Sequence, residues 1–167
     1  IKSIPVCIGI APSALYAASV QMLNIPEAGY TIPYQELAEM YRLLSNFLGS
    51  EDKEWIGQNW KFDQQKLETV FGMRMVPPYA DTMLLSSIVN PEFPKNLQFL
   101  CSIYSREPFY KDEGREFILG KNPIDQLFTY NAKDACVTFE VFQSLHSDLQ
   151  EYGLESFFYD YFMKLHK

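Results

Sequence analysis

Between Tyr34 and Leu48 the apolar residues Leu37, Met40, Tyr41, Leu44, Phe47 and Leu48 recur at intervals of three and four. That is the repeat of one helical face, with Pro33 suited to the first turn and Gly49 to the stop. Upstream the pattern is different. Ile4–Ile10 is apolar and β-branched with Gly9 near its end, and Ala14–Val20 forms a second apolar run after the Pro12-Ser13 break. The two runs predict a hairpin. Further on, Trp55–Gln58 reads as a short strand and Phe62–Phe71 as a helix stopped at Gly72. Asp81 is placed to cap a helix over Thr82–Val89, which ends before Pro91, and Asn96–Ile103 reads as another helix. The stretch Tyr104–Asn122 is charged and aromatic without a clear period, which predicts a long ordered loop. Pro123 then opens a helical region. Its main helix, Phe128–Glu151, carries Ala132, Cys136, Phe139, Phe142 and Leu145 at helical spacing, and Gly153 ends it. A last helix over Leu154–Leu165 is rich in Phe and Tyr and calls for a surface on which to bury its rings.

Strands that come first, followed by helices, predict an α/β fold with a small sheet in a single domain spanning 1–167. A hydrophobic content of 47% with 16% aromatic residues is ample for one core. No run reaches the roughly 18–20 apolar residues that span a bilayer, and the N-terminal residues lack the regions of a signal peptide. The composition therefore predicts a cytoplasmic domain without a membrane partner. Cys7, Cys101 and Cys136 are odd in number and widely spaced, as buried free thiols in a reducing compartment would be. His146 and His166 are too few and too close to the C-terminus for a histidine-based metal site. A net charge of −7 argues against tight binding to duplex DNA, where Lys and Arg must neutralise phosphates. It leaves a nuclease open, because carboxylates that hold divalent ions also make a chain acidic.

Two local patterns carry candidate chemistry. Asn59-Trp60-Lys61-Phe62-Asp63 follows a short strand and opens a helix, at the kind of junction where α/β sheets place ligands. Taken alone, Asp63 reads first as a residue that caps or charges the first helical turn. Tyr130-Asn131-Ala132-Lys133-Asp134 lies inside a helix, where residues four apart share a face. Tyr130 and Asp134 can thus address one point, although Asp134 alone reads equally well as a surface residue.

Together, Asn-x-x-Phe-Asp and, 71 positions later, the Asp of Tyr-x-x-x-Asp resemble the second and third motifs of the DnaQ-like exonucleases, in the subclass that uses tyrosine. The histidine variant would place His at position 129, which is Thr129. Asp81-Thr82-Met83-Leu84-Leu85 and Pro94-Lys95-Asn96-Leu97-Gln98-Phe99-Leu100 resemble the intervening helices of that family, and Tyr104 to Arg115 resembles phage-type DNA polymerases. The resemblance implies a ribonuclease-H-like exonuclease fold, with a small mixed sheet flanked by helices. It implies proofreading 3'-5' hydrolysis of the terminal phosphodiester by two divalent metals, Mg or Mn. Asp134 and Asp63 match metal ligands, Tyr130 matches the hydroxyl that orients the attacking water, and Asn59 and Phe62 match positions beside the terminal nucleotide. The implied partners are the single-stranded 3' end of DNA and a downstream polymerase domain in a longer protein. The implied setting is the cytoplasm of a bacterial or phage-infected cell.

The family's first motif, Asp-x-Glu on an opening strand, has no match here, since the first acidic residue is Glu27. Two expectations follow. The chain alone should be nearly or wholly inactive, because two carboxylates face four positive charges. The fold should lack its first, central strand, so exposed sheet edges should pair with upstream chain or with a second copy as a homodimer. Two other functions stay open: an inactive exonuclease fold kept as a nucleic-acid-binding or docking module, and a stand-alone RNA-trimming exonuclease. The stretch Phe93 to Arg115 points away from the last.

Overall fold

The structure, a computed structural model, describes residues 4–107 and 123–166. Strands β1 (Cys7–Ser13) and β2 (Tyr16–Gln21) pair antiparallel, with Ile8 opposite Val20 and Gly9 opposite Ser19. The hairpin was expected, but it sits about three residues later than the apolar runs suggested and turns at Ala14-Leu15. Pro12 does not break the pair. It falls inside β1 at a register irregularity between Ile10 and Ser13, where a residue without an N–H is tolerated.

Helix α1 (Tyr34–Leu48) has the predicted limits, with Pro33 just outside the first turn and Gly49 at the stop. Its buried side chains are Leu44 and Leu48. Met40, Leu43 and Phe47 instead line an open apolar groove of about 780 Å³ together with Ile10 and Val20 of the hairpin. β3 (Ile56–Gly57) leads into α2 (Trp60–Phe71), which starts two residues earlier than predicted and ends at Gly72 in the left-handed region. β4 (Ala80–Asp81) pairs parallel to β3. No periodicity announces β4, because two residues carry none. α3 (Thr82–Val89) and α4 (Leu97–Tyr104) follow, capped by the side chains of Asp81 and Asn96, which accept from the N–H groups of Met83 and Phe99. Of the predicted Tyr104–Asn122 loop, Tyr104 closes α4, and residues 108–122 lie outside the described part.

Helix α5 runs unbroken over Ile124–Glu151 and, at 1.5 Å per residue, is about 42 Å long. Its buried face is Val137, Thr138, Val141, Leu145 and Leu149. Of the predicted stripe, Leu145 is buried, while Ala132, Cys136, Phe139 and Phe142 are only half-buried. The reason is position: α5 touches β1, β2, β3, α3 and α4, so more than one face is covered and no single stripe describes it. After Gly153 the expected last helix becomes a π-helical turn, Phe157–Phe162, followed by α6 (Met163–His166). Phe158 and Met163 enter the core and Tyr159 stacks on Tyr79 at 4.8 Å, while Phe157, Tyr161 and Leu165 stay exposed.

Two cores result. The larger joins α3, α4, α5 and the C-terminal turn around Leu85, Leu100, Val141, Leu145, Leu149 and Phe158. The smaller gathers Met22, Leu44, Leu48, Trp60, Leu67, Met73 and Met75 between α1 and α2. Among the described residues the four strands form two separate pairs, so β1 and β3 each have one open edge. This is the mixed α/β arrangement expected, with small sheets flanked by helices. Cys101 is buried, but Cys7 and Cys136 are half-buried, so the expectation of three buried thiols holds only for Cys101; all three are free. Burial still raises the Cys7 and Cys136 thiols above their ordinary value. No helix among the described residues is long and apolar enough to cross a membrane.

Candidate active site

Asn59 sits where β3 turns into α2, with φ 59 and ψ 49, the left-handed conformation. It is the sole non-glycine residue with positive φ among those described. Asn accepts this region more readily than most residues, because its short polar side chain can bond locally. The turn is closed by Gly57, where a Cβ would stand 2.5 Å from the Trp60 ring.

The turn is held by Asp81. This carboxylate is fully buried, and one oxygen accepts from the N–H of Asn59 at 3.0 Å and of Met83 at 2.9 Å. The other accepts from the N–H of Trp60 at 2.8 Å. The adjoining Thr82 hydroxyl shares its one proton between the Gly57 carbonyl, at 3.1 Å, and Gln58 Oε1, and Gln58 Nε2 donates to the Lys95 carbonyl at 2.7 Å. The bonds to Asn59, Trp60 and Gly57 therefore fix the start of α2, where Phe62 and Asp63 stand, while the Met83 bond caps α3.

Phe62 is 54% exposed, with the Lys66 ammonium 5.4 Å from its ring centroid. Asp63 has an open face, yet protein crowds its carboxyl, and this desolvation, followed by the negative charge of Asp81, pushes it up to about 6. Water at the open face screens both effects and makes that value the upper end of the shift.

The second group stands on α5. Tyr130 and Asp134 lie one turn apart and half-buried, with the Tyr130 ring against the larger core. Between them, Asn131 seats the helix on the hairpin. Ser19 Oγ donates to Asn131 Oδ1 at 3.0 Å, and a Cβ on Gly9 would stand 2.5 Å from the Asn131 carbonyl oxygen. The facing pair Gly9 and Ser19 thus leaves room for Asn131. β3, which ends two residues before Asn59, also packs on α5, so the strand leading into the first group touches the helix that carries the second.

Sequence reasoning named Asn59, Phe62, Asp63, Tyr130 and Asp134 as candidates. It took Asp81 only as a cap for α3 and passed over Gly9 and Asn131, because their partners lie far away in the chain. Among the described residues, no three His, Cys, Asp or Glu side chains gather to hold a metal ion. Two carboxylates against the four charges of two divalent ions do not make a two-metal site, so these residues alone do not fit that pair. His146 stacks on Phe142 at 5.3 Å and meets Tyr159 edge-on, a packing role.

Comparison with known proteins bears on this geometry. A family described as 3'-5' exonuclease matches residues 10–150. The chain is also 28% identical over 152 residues to DNA polymerase I of Borreliella burgdorferi, covering 83% of this chain and 16% of that protein. It therefore spans about a sixth of the length of that relative.

Proposed function

Because the chain belongs to the 3'-5' exonuclease family, we propose that it is the proofreading domain of a larger, polymerase-I-like protein and acts on the single-stranded 3' end of DNA. The observation that carries this reading is that β3, which leads into the turn bearing Asn59, Phe62 and Asp63 at the start of α2, packs on α5, which carries Tyr130 and Asp134 one turn apart. The reaction is hydrolysis of the terminal phosphodiester. Water adds to phosphorus, the bond to the 3' oxygen breaks, and a nucleoside 5'-monophosphate leaves.

Each side chain has a role that suits its type. The Tyr130 hydroxyl and the Asp134 carboxylate share a face, so they can accept and direct the protons of one water. The Phe62 ring is exposed and offers a surface for a base or sugar, and its neighbour Lys66 brings positive charge beside it. The Asn59 amide can hydrogen-bond the terminal nucleotide. Asp63 and Asp134 are oxygen donors of the kind hard ions select, and the family's hydrolysis is metal-dependent. Mg or Mn would bind well only with further carboxylates added to these two.

The domain, read as one unit over 1–167, would work in the cytoplasm of a bacterial or phage-infected cell with a polymerase domain downstream. The open edges of β1 and β3 suit an added strand, from upstream chain or from a second copy. The test extends the chain upstream of Ile1 by a strand bearing Asp-x-Glu and supplies a 3'-labelled single strand with Mg or Mn. The extended protein should release nucleotides from DNA in preference to RNA, and Asp134→Ala should abolish release. The 167-residue chain itself should release essentially none. No release from the extended protein would overturn the reading in favour of an inactive docking module, and a preference for RNA would favour a trimming enzyme.

A further inference from the structure

We infer that Asp81 is a positioning residue for the candidate site, acting through the backbone of Asn59 and Trp60 to fix where Asn59, Phe62 and Asp63 point. The inference rests on the reading above that these three residues meet the end of a nucleic-acid strand.

Capping α3 does not require Asp81 to be what it is. A helix cap needs one acceptor, and neutral Ser, Thr or Asn serve as well as Asp. Asp81 is instead a carboxylate with no exposed surface, which is costly unless hydrogen bonds replace the lost water. Only one of its three N–H partners, Met83, belongs to the helix it caps. The other two, Asn59 and Trp60, come from a different element 22 and 21 residues earlier.

Those two are consecutive. A left-handed residue followed by a helical one turns successive N–H groups towards the same side, forming a small concavity that binds anions. Asp81 is the anion in it. Even for Asn the left-handed region is less favourable than right-handed or extended backbone, so its surroundings help hold it there. Two charge-assisted bonds to one buried carboxylate supply that hold. Without them the turn is free to relax, and the first turn of α2 swings with it.

A second consequence concerns phosphate. Helix N-termini commonly bind phosphate through unpaired N–H groups. Here the leading N–H groups of the β3–α2 turn already bond an internal carboxylate, and Asp63 adds negative charge in the same turn. The Asn59 and Trp60 N–H groups are therefore not open to phosphate, and a strand would be met there mainly by side chains.

The test compares Asp81→Asn with Thr82→Val in the 167-residue chain, using amide NMR and titration with a short oligothymidylate. Thr82→Val removes neighbouring buried hydrogen bonds and leaves the Asn59 and Trp60 bonds in place. Both variants should lose stability. Only Asp81→Asn should move the Asn59 and Trp60 amide signals, remove the strong intraresidue HN–Hα contact of a left-handed Asn59, and weaken oligothymidylate shifts at Phe62 and Asp63 by about tenfold. If Asp81→Asn keeps Asn59 left-handed and binds like Thr82→Val, Asp81 is merely structural and the proposal is overturned. Should Asp81→Asn not fold, hydrogen exchange in the unaltered chain decides. The Asn59 and Trp60 amides should exchange as slowly as that of core Leu85, and exchange at the rate of an open loop overturns the proposal. If the unaltered Asn59, Phe62 and Asp63 do not respond to the single strand, the functional reading fails instead, and the backbone comparison still decides whether Asp81 sets the turn.

Discussion

At the start of α2 a buried carboxylate collects N–H groups from three residues, whereas in the first third of α5 the helix is seated by a missing side chain, that of Gly9. Each device holds one half of the candidate site, and they differ in kind. The first is a tether: a few directional bonds converge on one group, and everything attached to the turn depends on it. The second is a fit, spread along the hairpin, in which the Ser19–Asn131 hydrogen bond adds only part of the hold. A tether fixes orientation sharply and fails abruptly. A fit tolerates loss of a bond but not added volume.

The largest effect should come from cutting the tether. Asp81→Ala leaves three N–H groups in or near the interior without their acceptor, and at about 1–3 kcal/mol for each buried group the loss should be about 3 kcal/mol or more. Urea denaturation measures it; a loss under 1 kcal/mol would mean that the turn finds other acceptors and that the contrast drawn here is wrong. Next comes Gly9→Ala, whose methyl group would meet the Asn131 carbonyl oxygen, with an expected loss of about 1–3 kcal/mol. Adding Asn131→Ala should not recover it, because the nearest obstacle is backbone; recovery would show that the side chain alone sets the fit.

The smallest effect should come from Asp63→Asn. The folded state pushes the Asp63 carboxyl up from the usual 3.8 to about 6, so between these values the folded chain binds more protons than the unfolded one. Stability from this group should fall as pH rises from about 4 to 6 and stay reduced above that. Asp63→Asn should remove the slope and add less than about 1 kcal/mol at neutral pH, since the open face of Asp63 screens its interaction with Asp81. Denaturation curves at pH 4.5 and pH 7 separate the outcomes, and an unchanged slope would place the titration elsewhere.

How far the sequence reads depends on how local the cause is. The limits of α1 and α3 are legible because Pro33, Gly49, Asp81 and Pro91 lie beside the helices they bound. Asn59, Asp63, Tyr130 and Asp134 are legible as types at a spacing. The pairing of β3 with β4, the second task of Asp81 and the contact of Gly9 with Asn131 are not, because each joins segments far apart in the chain and leaves no period. The face of α5 was misread for a related reason. A helix covered by strands and helices on several sides has no clean apolar stripe, so Val137 and Val141 rather than Ala132 and Cys136 reach the interior.

Both tryptophans of the chain, Trp55 and Trp60, stand in the smaller core with ring centroids 6.3 Å apart, and Trp60 donates one of the bonds that Asp81 receives. The larger core holds phenylalanine and tyrosine but neither indole. Indole emission therefore reports on the Asp63 half alone, while far-ultraviolet dichroism sums over both halves, with 28 residues in α5 against 15 in α1 and 12 in α2. Followed through the same unfolding transition, the two signals would coincide if the halves melt as one and part company if the tether lets go first.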